Sequence, residues 1–182
     1  MKSSVFAAVF CMLVSSPAWA EDRDTGADDD SDDVDRGPGG TRLAFDLDYT
    51  NRLDSDDAGI GGAVRFGREY DVLLLSLTPE FMGGFHTFSG PSDLMHFAGL
   101  AGGRATIGKI IEPGVFAHVG AGHVNRPGDS LTGLALDLGV TLDLTLIPAV
   151  DLGVHGAYDS VSWADRDTFD FYRLGAHLAF AP

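Results

Sequence analysis

The stretch LTGLALDLGVTLDLTLIPAVDLGVHGAYD, residues 131–159, decides the fold. Leucine or valine occupies every second position from Leu134 to Leu144, while Gly, Ala, Thr and Asp occupy the positions between them. A period of two predicts a β-strand with two different faces. The length of this run suits a membrane-spanning strand, which needs ~9–11 residues at its tilt.

The same alternation recurs along the chain, and no segment with a helical period interrupts it. We predict eight strands, with centres near Phe45, Val64, Leu77, Ala101, Val119, Leu138, Val154 and Leu174. The breaks between them alternate in character. NRLDSDDAG, TFSGPSDLM, NRPGDS and SVSWADRDT are polar, whereas REYD, KIIEPG and TLIPA are mostly shorter or more apolar.

This pattern predicts an all-β fold, an eight-stranded antiparallel up-and-down transmembrane β-barrel. A sheet in hydrocarbon must close, because an edge would leave backbone N–H and C=O groups unpaired. Eight strands enclose a space just wide enough for side chains to fill. An even number of strands, with short turns on one side and polar loops on the other, is typical of outer-membrane barrels. The first strand then runs outward from the periplasm.

The N-terminal part of the chain predicts export. Residues 1–20 combine Lys2, the apolar run VFAAVFCMLV and an A-x-A site ending at Ala20, so we predict a cleaved signal peptide. Residues 21–40 are predicted to be a disordered acidic leader, because EDRDTGADDDSDDVDR has almost nothing apolar to bury. Residues 41–182 are the predicted barrel. Cys11 is the only cysteine, so the mature protein has no disulfide.

The charge of the chain argues against nucleic acid as a partner. The formal net charge is -15 and the predicted barrel contains a single lysine, Lys109, so a basic nucleic-acid-binding surface is missing from the sequence.

Two groups of residues follow from the alternation. The polar parity places a charge network in the lumen, which we expect to be salt-bridged rather than open: Asp46, Asp48, Arg65, Glu80, Arg104, Asp137, His155, Arg173 and His177. The other parity carries aromatic residues that we interpret as a girdle, mostly toward strand ends: Phe45, Tyr49, Phe66, Tyr70, Phe81, Phe85, Tyr158, Tyr172 and Phe180.

The signal peptide, the eight segments, LDLTLIPAVDLGV and the closing YRLGAHLAF resemble the small eight-stranded outer-membrane barrel proteins, the group that includes the barrel domain of outer membrane protein A. The resemblance implies a location in the bacterial outer membrane, contact with its lipids and lipopolysaccharide, and folding by the barrel-assembly machinery. In that group the last strand usually ends the chain on an aromatic residue, whereas here Ala181 and Pro182 follow Phe180.

The sequence leaves three functions open. The first is a noncatalytic, monomeric outer-membrane barrel with a filled interior and a structural or surface-interaction role, presenting Trp163, Arg126 and Arg166 outside. The second is a narrow pore for ions or small solutes. The third is a secreted lipocalin-like barrel with an apolar ligand inside, which requires the apolar parity to face inward.

We predict no enzyme, cofactor or metal. Lipid A deacylases would require a His-x-Ser pair, and none of the six histidines is followed by serine two residues later. Asp159, Ser160, Ser162 and Asp165 could cluster with a distant histidine only if the loops brought them together. His155 and His177 are interpreted as members of the lumen network rather than as metal ligands.

Overall fold

The computed structural model describes residues 40–90, 93–147 and 149–181. The predicted signal peptide, and the predicted leader up to residue 39, lie outside the described residues. The described residues contain no helix that is long and apolar enough to cross a membrane.

The described chain consists of β-strands joined by short turns. The strands are β1 (Thr41–Arg52), β2 (Ala58–Arg68), β3 (Tyr70–Val72), β4 (Leu75–Ser89), β5 (Leu94–Ile107), β6 (Ile111–Arg126), β7 (Asp129–Ile147), β8 (Val150–Trp163) and β9 (Arg166–Phe180). The strands extend into the predicted loops, and β8, for example, continues through Ser160 to Trp163.

The sheet closes on itself. Consecutive strands pair antiparallel from β3 to β9, and β1 pairs with β2. β1 also pairs with β9, and β2 pairs with β4 rather than with β3. The three residues of β3 continue the pairing of β2 against β4 in one register, with Gly67 opposite Glu80 and Tyr70 opposite Leu77. β2 and β3 therefore form a single wall strand. The predicted eight-stranded antiparallel barrel is confirmed.

The two sets of alternating residues in each strand face opposite sides of the barrel wall. On β7, Leu138, Val140 and Leu142 are exposed on the outside, whereas Asp137 and Asp143 are buried inside. The apolar parity thus faces outward, the opposite of what a lipocalin-like barrel requires. That alternative is wrong for this chain.

One predicted turn is misplaced. The segment REYD does not form a turn. The chain instead continues to Val72 and reverses at Leu73 and Leu74, where Leu73 has a φ of 62°. The reason lies inside the barrel, where Glu69 accepts a hydrogen bond of 2.9 Å from Arg42, so this part of the chain belongs to the wall.

The two ends of the barrel differ. The terminal end carries Thr41, Phe180 and the turn at Leu73. The loop end carries residues 53–57, Gly90 and Asp93, and two tight turns, 127–128 and 164–165. Gly128 has a φ of 84°, a conformation that glycine adopts without steric cost.

Candidate functional site

All nine residues predicted for the lumen lie on the inner face. Eight of them are buried residues, and the ninth, Asp46, has a carboxylate side chain that is only 2% exposed. The inner face also brings in Glu112 and His118 of β6, and ion pairs and hydrogen bonds join the interior into one network rather than isolated pairs.

The part of this network nearest the terminal end is centred on Arg42. Its guanidinium group lies 2.9 Å from the Glu69 carboxylate and 3.0 Å from the carboxylates of both Asp143 and Asp151. Arg104 donates a further 3.0 Å hydrogen bond to Asp143. Two arginines thus share the charge of three carboxylates.

The middle of the network is centred on Asp48 and Arg173. Asp48 lies 2.7 Å from His155 Nε2 and 3.3 Å from His86 Nε2, while Arg173 reaches it at 3.4 Å. Arg173 also donates to Asp159 at 2.6 Å. A Cβ at Gly175, in the adjacent wall, would clash with Asp48, so glycine makes room for this close approach.

A second branch of the middle layer joins two more carboxylates. Arg65 binds both oxygens of Asp46, at 2.8 and 2.7 Å, in the bidentate geometry that suits a guanidinium group. His118 bridges Asp137 at 2.9 Å and Glu80 at 3.0 Å.

Sequence reasoning missed about half of the network. The missed residues are Arg42, Glu69, His86, His96, Glu112, His118, Asp143, Asp151 and Asp159. The alternation pattern could have identified Asp143, since this residue shares the inner face of β7 with Asp137, six residues earlier. Glu69 gave no such signal, because its segment was assigned to a turn.

Carboxylates outnumber arginines in this interior. Between the terminal end and the apolar cluster described next, the described residues place nine carboxylates inside, those of Asp46, Asp48, Glu69, Glu80, Glu112, Asp137, Asp143, Asp151 and Asp159. Four arginines face them, Arg42, Arg65, Arg104 and Arg173. Further positive charge is therefore favourable in the lumen.

The loop end of the interior is closed by apolar side chains. This apolar plug consists of Phe88, Leu94, Val124, Val161, Phe169 and Phe171, each at most 2% exposed. Its rings pack edge to face, with centroids of Phe88 and Phe171 5.2 Å apart. Below it, a cavity of only about 10 Å³ lies among residues that include Asp46, His118 and His155.

Above the plug, the rim forms an open cleft of about 700 Å³. It is lined by Arg52, Asp54, Arg126, Leu131, Trp163, Ala164, Asp165, Arg166, Asp167 and Thr168. Arg166 binds Asp129 at 2.6 Å, whereas the Nε of Arg126 and the indole N–H of Trp163 have no hydrogen-bond partner among the described residues.

The nine predicted girdle aromatics all belong to the outward parity. Tyr158 and Tyr172 pair across β8 and β9 with ring centroids 5.9 Å apart. Phe45, Phe81 and Tyr172 lie near the middle of β1, β4 and β9 rather than toward a strand end. The assignment of the nine residues to a girdle remains a prediction.

The possible catalytic cluster does not assemble. Asp159 faces inward and binds Arg173, whereas its neighbours Ser160 and Ser162 belong to the outer parity of β8. Among the residues that the structure describes, His123 is the one histidine outside, and its Nδ1 lies 2.9 Å from the hydroxyl of Thr132. The inner histidines include one group suited to a metal, since donor atoms of Asp46, His155 and His177 lie within 4.8 Å of one another.

The sequence matches no family profile and no curated protein. Solved structures do share its fold. Neisserial surface protein A aligns with 80% of this chain and 100% of its own, with a TM-score of 0.59 and 14% identity. The outer membrane enzyme PagL aligns with 76% of this chain and 99% of its own, with a TM-score of 0.52 and 14% identity. The chain has the fold of the small eight-stranded outer-membrane barrels.

Proposed function

We propose that this protein is a noncatalytic, non-conducting bacterial outer-membrane barrel whose loop end faces outward and serves in surface interaction. The shared fold and the outward apolar parity of every wall strand support the location. A surface of leucine, valine and phenylalanine this extensive is unfavourable in water and favourable in hydrocarbon. A closed barrel has no free edge, so we expect a monomer.

The apolar plug is the observation that best supports a closed interior. Six side chains from five wall strands fill the loop end, and the Arg42 network fills the terminal end. An ion passing through would have to displace both layers. This favours a filled barrel over a narrow pore.

Two measurements test this proposal. In cell fractions, we expect the protein only in the outer membrane, with a gel mobility in SDS that changes when the sample is boiled. In planar bilayers, we expect no single-channel conductance above that of lipid alone. A protein found soluble in the periplasm would overturn the location, and regular conductance steps would overturn the filled interior in favour of the pore.

Surface interaction is supported by the rim cleft. Arg126 and Trp163 both line this cleft, and the Nε of Arg126 and the Nε1 of Trp163 have no hydrogen-bond partner among the described residues. Side chains with donors of this kind suit a ligand rich in oxygen acceptors, such as an acidic sugar. Arg52 and Arg166 already bind aspartates there. Arg126 therefore supplies the available charge.

Tryptophan fluorescence can test this cleft, because removal of the predicted signal peptide leaves Trp163 as the single tryptophan. We expect glucuronate to change the emission at lower concentrations than glucose does, and Arg126→Gln to abolish the difference. Equal responses to both sugars, or an unchanged difference in Arg126→Gln, would refute an anion-selective cleft.

The absence of catalysis has its own test, since an outer membrane enzyme shares the fold. The histidine best placed on the outer surface is His123, beside Thr132. We expect no release of fatty acids from lipopolysaccharide or phospholipid vesicles, measured by mass spectrometry. Release that disappears in His123→Ala would overturn the noncatalytic assignment.

A further inference from the structure

Two histidines and an aspartate from three adjacent wall strands converge inside the barrel. His155 on β8 and His177 on β9 place their Nδ1 atoms 3.3 Å apart. Asp46 on β1 lies directly opposite His177 in the sheet register. One donor atom from each of the three side chains falls within 4.8 Å of the other two.

The outer nitrogens of both rings lie beside carboxylates. His155 Nε2 is hydrogen-bonded to Asp48 at 2.7 Å. His177 Nε2 lies 3.0 Å from Asp143, a charge contact that is not aligned as a hydrogen bond. A carboxylate only accepts hydrogen bonds, and its negative charge favours a proton on the nitrogen beside it, so the proton of each ring is placed at Nε2. In a neutral imidazole this leaves both Nδ1 atoms as bare acceptors, pointing toward each other.

We infer that a divalent transition metal of the zinc type binds between His155, His177 and Asp46. Ligand nitrogens about 2.0–2.1 Å from a tetrahedral zinc ion lie about 3.3 Å apart, which is the separation found here. Imidazole ligands favour zinc, copper or nickel over calcium or magnesium.

The surroundings have the features of a metal site. A metal-binding histidine usually donates its second N–H to a carboxylate, as His155 does to Asp48, and Asp143 places a second carboxylate 3.0 Å from the Nε2 of His177. Arg65 holds both Asp46 oxygens and so fixes the carboxylate, while each oxygen keeps a further lone pair. The cavity of about 10 Å³ that borders Asp46 and His155 is close to the size of one water, which takes the fourth position in zinc sites with three protein ligands. A divalent cation also offsets part of the excess acid in the lumen.

A second histidine pair in the same lumen lacks these features. The Nδ1 atoms of His86 and His96 lie 3.5 Å apart, but among the described residues no carboxylate forms an ion pair with His96, whereas Asp143 lies 3.0 Å from His177 Nε2. No carboxylate therefore fixes its tautomer, and His96 can donate from Nδ1 to His86. His96 is a matched control within the same interior.

The filled interior implies that metal enters as the barrel folds. The untagged full chain would be unfolded in urea and refolded into detergent micelles with excess Zn²⁺, and then freed of unbound metal by gel filtration. We expect about one zinc per chain by mass spectrometry of the metal. We also expect a higher thermal midpoint than for protein refolded with a chelator. His177→Gln and Asp46→Asn should reduce retained zinc at least tenfold, whereas His96→Gln should retain it.

Unboiled gel mobility shows whether each variant has folded. Equal zinc retention in His177→Gln and in the unaltered chain would overturn the site. Retention of only background zinc by the unaltered chain would also overturn it, and that result is expected if the two histidine rings share a proton instead of binding a metal. A second measurement needs no variant: the unaltered chain is refolded with Co²⁺ and its visible absorption is recorded. Intense d–d bands of tetrahedral cobalt would support the site, and weak bands of octahedral cobalt would overturn it.

Discussion

Arg173 and Asp159, on neighbouring strands β9 and β8, form a 2.6 Å hydrogen-bonded ion pair inside the barrel. Arg173 also lies 2.9 Å from Asp137 and 3.4 Å from Asp48, so one guanidinium group faces three carboxylates. Removing it leaves all three carboxylates buried without their shared cation.

Replacement of Arg173 by methionine should therefore destabilise the barrel strongly. Breaking a buried ion pair by removing one partner costs about 3–5 kcal/mol, because the remaining charge stays buried. The free energy of unfolding would be measured by urea titration in detergent, with unboiled gel mobility as the signal. Arg166→Met is the matched control, since its bond to Asp129 is about half exposed and such surface pairs contribute about 0–1 kcal/mol. Equal losses in the two variants would contradict the network.

Substitution of Gly175 by alanine should impair folding. Its new Cβ would meet the Asp48 carboxylate, the Leu47 carbonyl oxygen and the His155 ring, and overpacking of this kind costs about 1–3 kcal/mol. Gly99→Ala provides the comparison, because nothing lies within 4 Å of its added Cβ. The refolded fraction after a fixed time would be compared on unboiled gels. If Gly175→Ala folds as well as Gly99→Ala, the close approach to Asp48 is wrong.

An arginine at Leu138 should reduce insertion into lipid. Leu138 lies at the middle of β7 on the outer face, where an arginine at the bilayer midplane costs about 2–4 kcal/mol. Ser130→Arg, outward on the same strand at its loop end, should cost about 0–1 kcal/mol because it lies near the interface. Stability in phosphatidylcholine vesicles distinguishes the two. An unchanged or improved Leu138→Arg would indicate that this face meets water.

Truncation of Phe171 to alanine should open a cavity in the apolar plug. The side chain is 0% exposed and packs against Phe88, Phe169 and His86, so we expect a loss of about 3–5 kcal/mol. Leu174→Ala, on the outer face of the same strand, should cost less, because lipid can fill the space that its side chain leaves. Urea unfolding in detergent measures both. A smaller loss in Phe171→Ala than in Leu174→Ala would contradict a packed plug.

The sequence by itself determined the wall of this protein. Strict alternation, as in Leu134 to Leu144, assigns each side chain to one face, since successive residues of a strand point to opposite sides. An apolar outer face then requires closure. The strand number, the inner position of Asp137 and Arg173, and the outer position of Leu138 all follow without a structure.

Only the tertiary structure decided which inner residues meet. Asp48 lies beside His155, 107 positions away, and Arg42 beside Asp143, 101 positions away, because the stagger of each strand against the next sets the height of every side chain in the lumen. The alternation of residues along a strand shows which face a side chain is on, but not how far along the barrel axis it lies. The plug, the Arg42 network and the convergence of Asp46 with His155 and His177 depend on that register, which backbone pairing around the whole barrel determines.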